Sequence, residues 1–275
     1  MNIQNIANWI VIIGIICVLM QLGEIDQDSM EEMEEAVEID DLKPTISIIK
    51  FHGEICGGCK SKRKLVSQAF NPENLKLVIL DIDSPGGDPT ETEMIGSLIK
   101  YLARKRNVTV MAFVGGMATS GGYWLSCMAD RIYAAETSVI GSIGVVFMNI
   151  ELTGVNPKSL EKEGMELRTF ATSKEKMKSS NETVAALLKN TFGIFKAVVK
   201  EGRADKIKQE DEDEVFSGKV WSARRSLELG LIDGILHLDV FLGHVVEDDP
   251  DLRILRVRVK KSIDEVLEER LGIMG

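Results

Sequence analysis

Two runs of aliphatic residues, Thr45–Phe51 (TISIIKF) and Leu77–Ile82 (LVILDI), constrain the fold of this chain more than any other feature. They are nearly continuous in Ile, Val and Leu rather than alternating with polar residues, the pattern of strands covered on both faces. Such strands belong to sheets flanked by helices, and helical patterns fill the intervals. Thr90-Glu-Thr-Glu93 reads as a capping box opening a helix with Met94, Ile95, Leu98, Ile99 and Leu102 on one stripe. Val108–Val114 is a third strand, followed by a short helix over Ser120–Ala129, a strand Arg131–Ala135 and a glycine-punctuated strand Ile140–Ile150. Further on, the pattern predicts a short helix Asn156–Lys162 and a strand Glu166–Ala171. A long helix Asn181–Arg203, capped by Ser180, follows, and a last helix runs from Ser222 to a C-cap at Gly230. Strands separated by helices imply right-handed βαβ crossovers around a mostly parallel sheet, an α/β fold.

The charge balance divides the chain. Lys and Arg number 33 against 43 Asp and Glu, which excludes a generally basic nucleic-acid binder. Ten of the acids lie between Glu24 and Asp41 with no Lys or Arg among them, so the remainder is formally neutral. Before them, residues 1–23 carry no charge, and Ile6–Gly23 is almost wholly apolar. As a helix, that stretch spans about 27 Å, close to the hydrocarbon thickness of a bilayer. It reads as a transmembrane anchor with Trp9 near one end. A cleaved signal peptide or a buried helix are the alternatives, but a basic start, a small-x-small cleavage site and a polar face are all missing. The expected organisation is an anchor at 1–23, an acidic spacer at 24–42 and one globular domain at 43–275. The part after residue 24 is expected on the extracytoplasmic side of the membrane.

Most chemical signatures are absent. Gly116–Gly121 has the glycine spacing of a phosphate loop, but Gly122 stands where its lysine belongs. There is no HExxH, and the three histidines (His52, His237, His244) are scattered, which weakens any Ser-His-Asp arrangement. The cysteines number four, and Cys56-Gly-Gly-Cys59 is one CxxC without a second; a turn is favoured over a redox pair. No metal or cofactor is expected. Two glycine turns remain, each after a buried strand: Asp83-Ser-Pro-Gly-Gly87 and Ala118-Thr-Ser-Gly-Gly-Tyr123. At the carboxyl ends of neighbouring parallel strands they would frame the ligand crevice of an open α/β sheet. Ser120 falls at a helix start, where free N–H groups favour an anion. A serine is a poor nucleophile until a base takes its proton, and without a fitting histidine the candidates are Lys174, Lys176 and Lys178, among which local pattern does not choose.

SPGG after a strand, then TSGGYW, then Ile140-Gly-Ser-Ile-Gly-Val145, then Phe216–Trp221 and Glu228–Gly234, together resemble the signal peptide peptidase A and SohB-type serine peptidases, over roughly Thr45–Gly234. The resemblance implies a Clp-protease/crotonase-like fold and a Ser/Lys dyad endopeptidase acting on apolar peptides, such as cleaved signal peptides or membrane-protein fragments. By matching, Ser120 is the nucleophile and Lys176, twelve residues beyond Gly164, the base, with Lys174 in reserve. Ser142 orients the lysine, and the N–H groups of Gly87 and Gly121 form the oxyanion hole. The family also implies a ring-shaped homo-oligomer in which the lysine can come from a neighbour. The chain departs from the family pattern at Ser173, where a glycine is usual, and in the short Met177–Ser180 stretch. Two other readings share these features: a crotonase-type acyl-CoA enzyme, and an inactive relative serving as an assembly scaffold.

Overall fold

The computed structural model describes residues 43–58, 60–148, 158–162, 165–169 and 174–258. These fall in one compact unit, Lys43–Gly275. The expected anchor and acidic spacer lie outside the described residues. Among the described residues no helix is long and apolar enough to cross a membrane.

In chain order the elements are β1 (Thr45–His52), α1 (Lys60–Ala69), β2 (Leu75–Ser84), α2 (Pro89–Arg106), β3 (Thr109–Thr119), α3 (Gly121–Ser126) and β4 (Arg131–Ala134). Then follow β5 (Val139–Gly141), β6 (Val145–Met148), β7 (Lys158–Lys162), β8 (Met165–Thr169), α4 (Lys174–Arg203) and α5 (Glu212–Val215). The chain closes with β9 (Val220–Ser222), α6 (Ala223–Glu228), β10 (Gly234–Ile235), α7 (Leu238–Asp248) and β11 (Arg253–Val257). The main sheet runs β10-β4-β3-β2-β1-β11, every neighbouring pair parallel. β5 continues alongside the end of β3 in parallel and pairs antiparallel with β9. A second sheet of β6, β8 and β7 stands apart from it. The mostly parallel α/β architecture matches the aliphatic runs: Ile48, Ile49, Phe51, Val78, Ile79, Leu80 and Ile82 are all buried.

Five features differ from the sequence reading. Residues 158–162 form a strand, not a helix: Lys158 to Lys162 pair with Thr169 to Met165 in an antiparallel ladder. With Leu160 as its only apolar residue, this stretch has no period of its own, and sheet pairing decides its state. The long helix begins at Lys174, seven residues before the expected start, so Ser180 lies inside it. The α2 cap is Asp88, whose carboxylate accepts the Glu91 N–H at 2.7 Å, and Thr90 is already helical. The helix after Ser222 is not the last, since α7 and β11 follow. Finally, α1 was invisible to periodicity because it opens on Lys-Ser-Lys-Arg-Lys.

Helix α4 is seated against α3 by its carboxyl-terminal half. Phe195 stacks on Trp124 with ring centroids 5.0 Å apart. A β-carbon on Gly202 would stand 2.4 Å from the Cys127 carbonyl oxygen, so the two backbones meet there without room for a side chain. Below α3, the Tyr123 hydroxyl donates to the Leu231 carbonyl at 2.8 Å. Burial, chiefly, holds the Tyr123 hydroxyl well above its ordinary pKa and pushes the Cys127 thiol to about 12. Both groups therefore stay protonated, and Cys127 is a packing residue, not a reactive one.

Candidate active site

The two glycine turns meet. Ser84 in β2 pairs with Ala118 in β3, so the chain leaves both strands at the same level. A β-carbon on Gly86 would lie 2.7 Å from the Gly121 nitrogen and 2.8 Å from the Ser120 β-carbon. Only a glycine permits that approach.

Ser120 precedes α3 with φ +52° and ψ −122°. That positive-φ conformation costs a side-chain-bearing residue about 1–3 kcal/mol and is kept where the surroundings enforce it. Two backbone hydrogen bonds enforce it here. Its N–H donates to the Gly141 carbonyl at 2.9 Å, and its carbonyl accepts the Trp124 N–H at 3.0 Å. The result is a half-buried serine at the start of a helix, before the buried Gly121 and Gly122. Ser142 also has positive φ, +49°, directly after the residue that holds the Ser120 N–H, and its own N–H donates to the Lys219 carbonyl at 2.7 Å. Among the described residues, two of the four non-glycine residues with positive φ are these candidate serines; Asn107 and Ala204 are the others.

Gly87 is oriented by its neighbours. Ile55 forms an isolated parallel bridge with it. The Ile55 N–H donates to the Gly86 carbonyl at 2.8 Å, and the Asp88 N–H donates to the Ile55 carbonyl at 2.7 Å. In a trans peptide the N–H points opposite to the C=O of the preceding residue. With the Gly86 carbonyl turned to Ile55, the Gly87 N–H points away from Ile55, and Gly87 is exposed. No hydrogen bond among the described residues occupies that N–H. The Gly121 N–H, in the first turn of α3, has no intrahelical acceptor. A conformation with φ +149° and a β-carbon position 2.2 Å from the Ile55 oxygen makes Gly87 irreplaceable. Gly87→Ala should therefore lose about 2 kcal/mol of stability by breaking the bridge to Ile55. Chemical denaturation checks this; a parent-like midpoint would show that the turn is not built this way.

The structure thus brings Ser120, Gly121, Gly87 and Ser142 to one end of the sheet. The backbone of Lys174 and Lys176 lies in the first turn of α4, and their side-chain positions lie outside the described residues. Gly164, the reference from which Lys176 is matched, follows the strand β7 and not a helix. Among the described residues no histidine bonds to Ser120: His52 Nε2 lies 3.1 Å from Asp81 Oδ1, His237 directly precedes α7, and His244 is exposed on it. Cys56 is exposed, and Cys59 lies outside the described residues. No group of His, Cys, Asp or Glu able to hold a metal ion occurs among the described residues. A cavity of about 680 Å³ between α2 and α4, floored by Trp124, Met128, Ile194 and Val198, contains none of the candidate residues. Two contributors escaped the sequence reading, Ser84 and Ile55, because each acts across a long sequence separation.

A strained serine at a helix start, with the Gly121 N–H beside it and the exposed Gly87 on the neighbouring turn, supplies the parts that a nucleophile and an oxyanion site need. The model of peptidase family S49 matches residues 102–245, just over half of the chain. The chain belongs to peptidase family S49. It is 26% identical over 235 residues to the probable protease SohB of Haemophilus influenzae, covering 82% of this chain and 64% of that protein. It is also 31% identical over 229 residues to a protein of Brucella abortus named Na(+)/H(+) antiporter NhaA, covering 77% of this chain but 30% of that one. The chain thus spans less than two thirds of each of these relatives, and a match to 30% of a protein does not carry a transport name across. In fold it is similar to a mutant of the 1510-N membrane-bound stomatin-specific protease in complex with a substrate peptide. That likeness has a TM-score of 0.51 and 11% identity, and covers 84% of this chain and 98% of the other.

Proposed function

We propose that this chain is a membrane-anchored serine endopeptidase in which Ser120 and Lys176 form the catalytic dyad. The observation that carries the reading is the contact of the Ser120 turn with the Gly86-Gly87 turn, which leaves the Gly87 and Gly121 N–H groups beside the serine. Neutral Lys176 takes the Ser120 hydroxyl proton as Oγ attacks a peptide carbonyl carbon. The carbonyl oxygen gains negative charge and is held by the two N–H groups. Collapse breaks the C–N bond, the protonated lysine returns its proton to the leaving amine, and water hydrolyses the ester by the same proton path in reverse. Ser142, beside the carbonyl that fixes Ser120, is the residue that orients the lysine. The substrates are apolar peptides, such as spent signal peptides or membrane-protein fragments. The apolar segment at residues 1–23 keeps the active site near them on the extracytoplasmic side.

The length of α4 supports a ring in which Lys176 serves the serine of a neighbouring subunit. Lys176 is nineteen residues before Phe195, the residue stacked on Trp124, so a straight helix carries it about 28 Å from that contact. Ser120 is only four residues before Trp124, and a lysine side chain does not bridge the difference.

The test is peptide hydrolysis by the full 275-residue chain and its variants, each checked for assembly. Lys176→Ala should abolish turnover while Lys174→Ala keeps it. Co-assembling Lys176→Ala chains with Ser120→Ala chains should restore part of the activity, each kind completing the other's site. Loss with Lys174→Ala alone would move the base by two residues. No turnover by an assembled parent on several apolar peptides would favour the scaffold reading.

A further inference from the structure

We infer that Ser84 is a positioning residue for the oxyanion site, holding the Gly86-Gly87 peptide in the orientation that presents the Gly87 N–H. The inference rests on the peptidase reading above and adds a residue to it. Ser84 ends β2 and is fully buried. Its hydroxyl donates to the Gly53 carbonyl at 2.7 Å and accepts the Gly86 N–H at 3.2 Å. The donated bond fixes the hydroxyl, and the accepted one fixes the peptide plane entering Gly86. The plane leaving Gly86 is fixed separately, by the Ile55 N–H on the Gly86 carbonyl. Between them, the two bonds determine both backbone torsions of Gly86, which has φ +103° and no β-carbon to restrict it. Without Ser84 Oγ, one of the two restraints is gone. The Pro85-Gly86 peptide can then rotate, φ of Gly86 is released, and the Gly87 N–H, left hinged on the Ile55 bond alone, shifts from the position where charge develops. Among the described residues the Ser84 hydroxyl bonds to Gly53 and Gly86 and not to Ser120, so its hydrogen-bonding acts through Gly86 and Gly87.

The role predicts a loss confined to the transition state. In the full chain, Ser84→Ala should lower kcat about tenfold, the worth of one ordinary hydrogen bond, with KM within twofold of the parent. Affinity for a peptide aldehyde of the substrate's sequence, which forms a tetrahedral adduct with the serine, should weaken by the same factor as kcat. Ser84→Thr, which keeps the hydroxyl, should recover most of kcat. Should Ser84→Ala not fold, Ser84→Cys fills the same space with a far weaker hydrogen-bonding group and takes its place in the comparison. Parent-like kcat in the alanine or cysteine variant would overturn the inference. So would a threonine variant as impaired as alanine, or a loss carried by KM with aldehyde affinity unchanged. A parent that neither turns over peptide nor binds the aldehyde would sink the peptidase reading itself, and this role with it.

Discussion

Ser120→Ala should leave a folded protein whose peptide turnover is lower by a factor of about 10⁴ or more, the residue being what binding and oxyanion contacts supply without a nucleophile. The substitution isolates the chemistry. Alanine removes one oxygen and keeps the β-carbon, so the cost of φ +52° stays in place, as do the backbone bonds to Gly141 and Trp124. Equal melting temperatures with turnover lost would assign the loss to the hydroxyl. Substantial residual turnover in the alanine variant would place the nucleophile elsewhere.

Arg203→Ala should be the most damaging substitution for stability, costing about 3–5 kcal/mol. Arg203 ends α4 with its side chain wholly buried; Nη1 lies 2.8 Å from Asp233 Oδ2, and Nε donates to the Gly230 carbonyl at 2.8 Å. Asp233 also accepts the Ile132 N–H at 2.7 Å and Lys206 Nζ at 2.6 Å. The pair therefore ties α4 to the β4 end of the sheet, under the helix that begins after Ser120. Alanine leaves the Asp233 carboxylate buried without its main partner. Burial raises the Asp233 pKa, but the hydrogen bonds from Arg203, Lys206 and the Ile132 N–H outweigh it and hold the group at about 2, below the ordinary 3.8. A depressed carboxyl pKa contributes stability that is present above the unfolded value and lost as pH falls through the folded one. The contribution at neutral pH is about 2 kcal/mol, and it disappears between pH 3.8 and about 2. Denaturation across that window should show the parent losing this increment and Asp233→Asn lacking the slope. Parallel curves for the two would contradict the assignment.

The parts of the fold governed by local pattern were legible in the sequence. The cores of β1, β2 and β3 follow from their aliphatic runs, and the two glycine turns mark where the chain leaves β2 and β3. Ser120 at a helix start was also readable, since Gly-Gly-Tyr-Trp opens a helix directly after it. The rest depends on contacts far apart in sequence. That Ser120 and Ser142 adopt positive φ is imposed by Gly141 and Lys219 carbonyls, and serine itself gives no hint of it. The Ser84 hydroxyl reaches back to Gly53 across α1 and the whole of β2, so SPGG reads as a turn and hides its clamp. β7 exists because β8 offers it a partner. The early start of α4 overrides the capping preference of Ser180, which in the helix gives way to propagation from its neighbours.

The proposed nucleophile is Ser120. The most direct measurement is to treat the full chain with a fluorophosphonate, digest it, and locate the adduct by mass spectrometry. A single adduct on Ser120 is expected, lost in Lys176→Ala, where the base is missing, and retained in Lys174→Ala. An adduct on another residue, or none on an assembled chain that hydrolyses peptides, would contradict it.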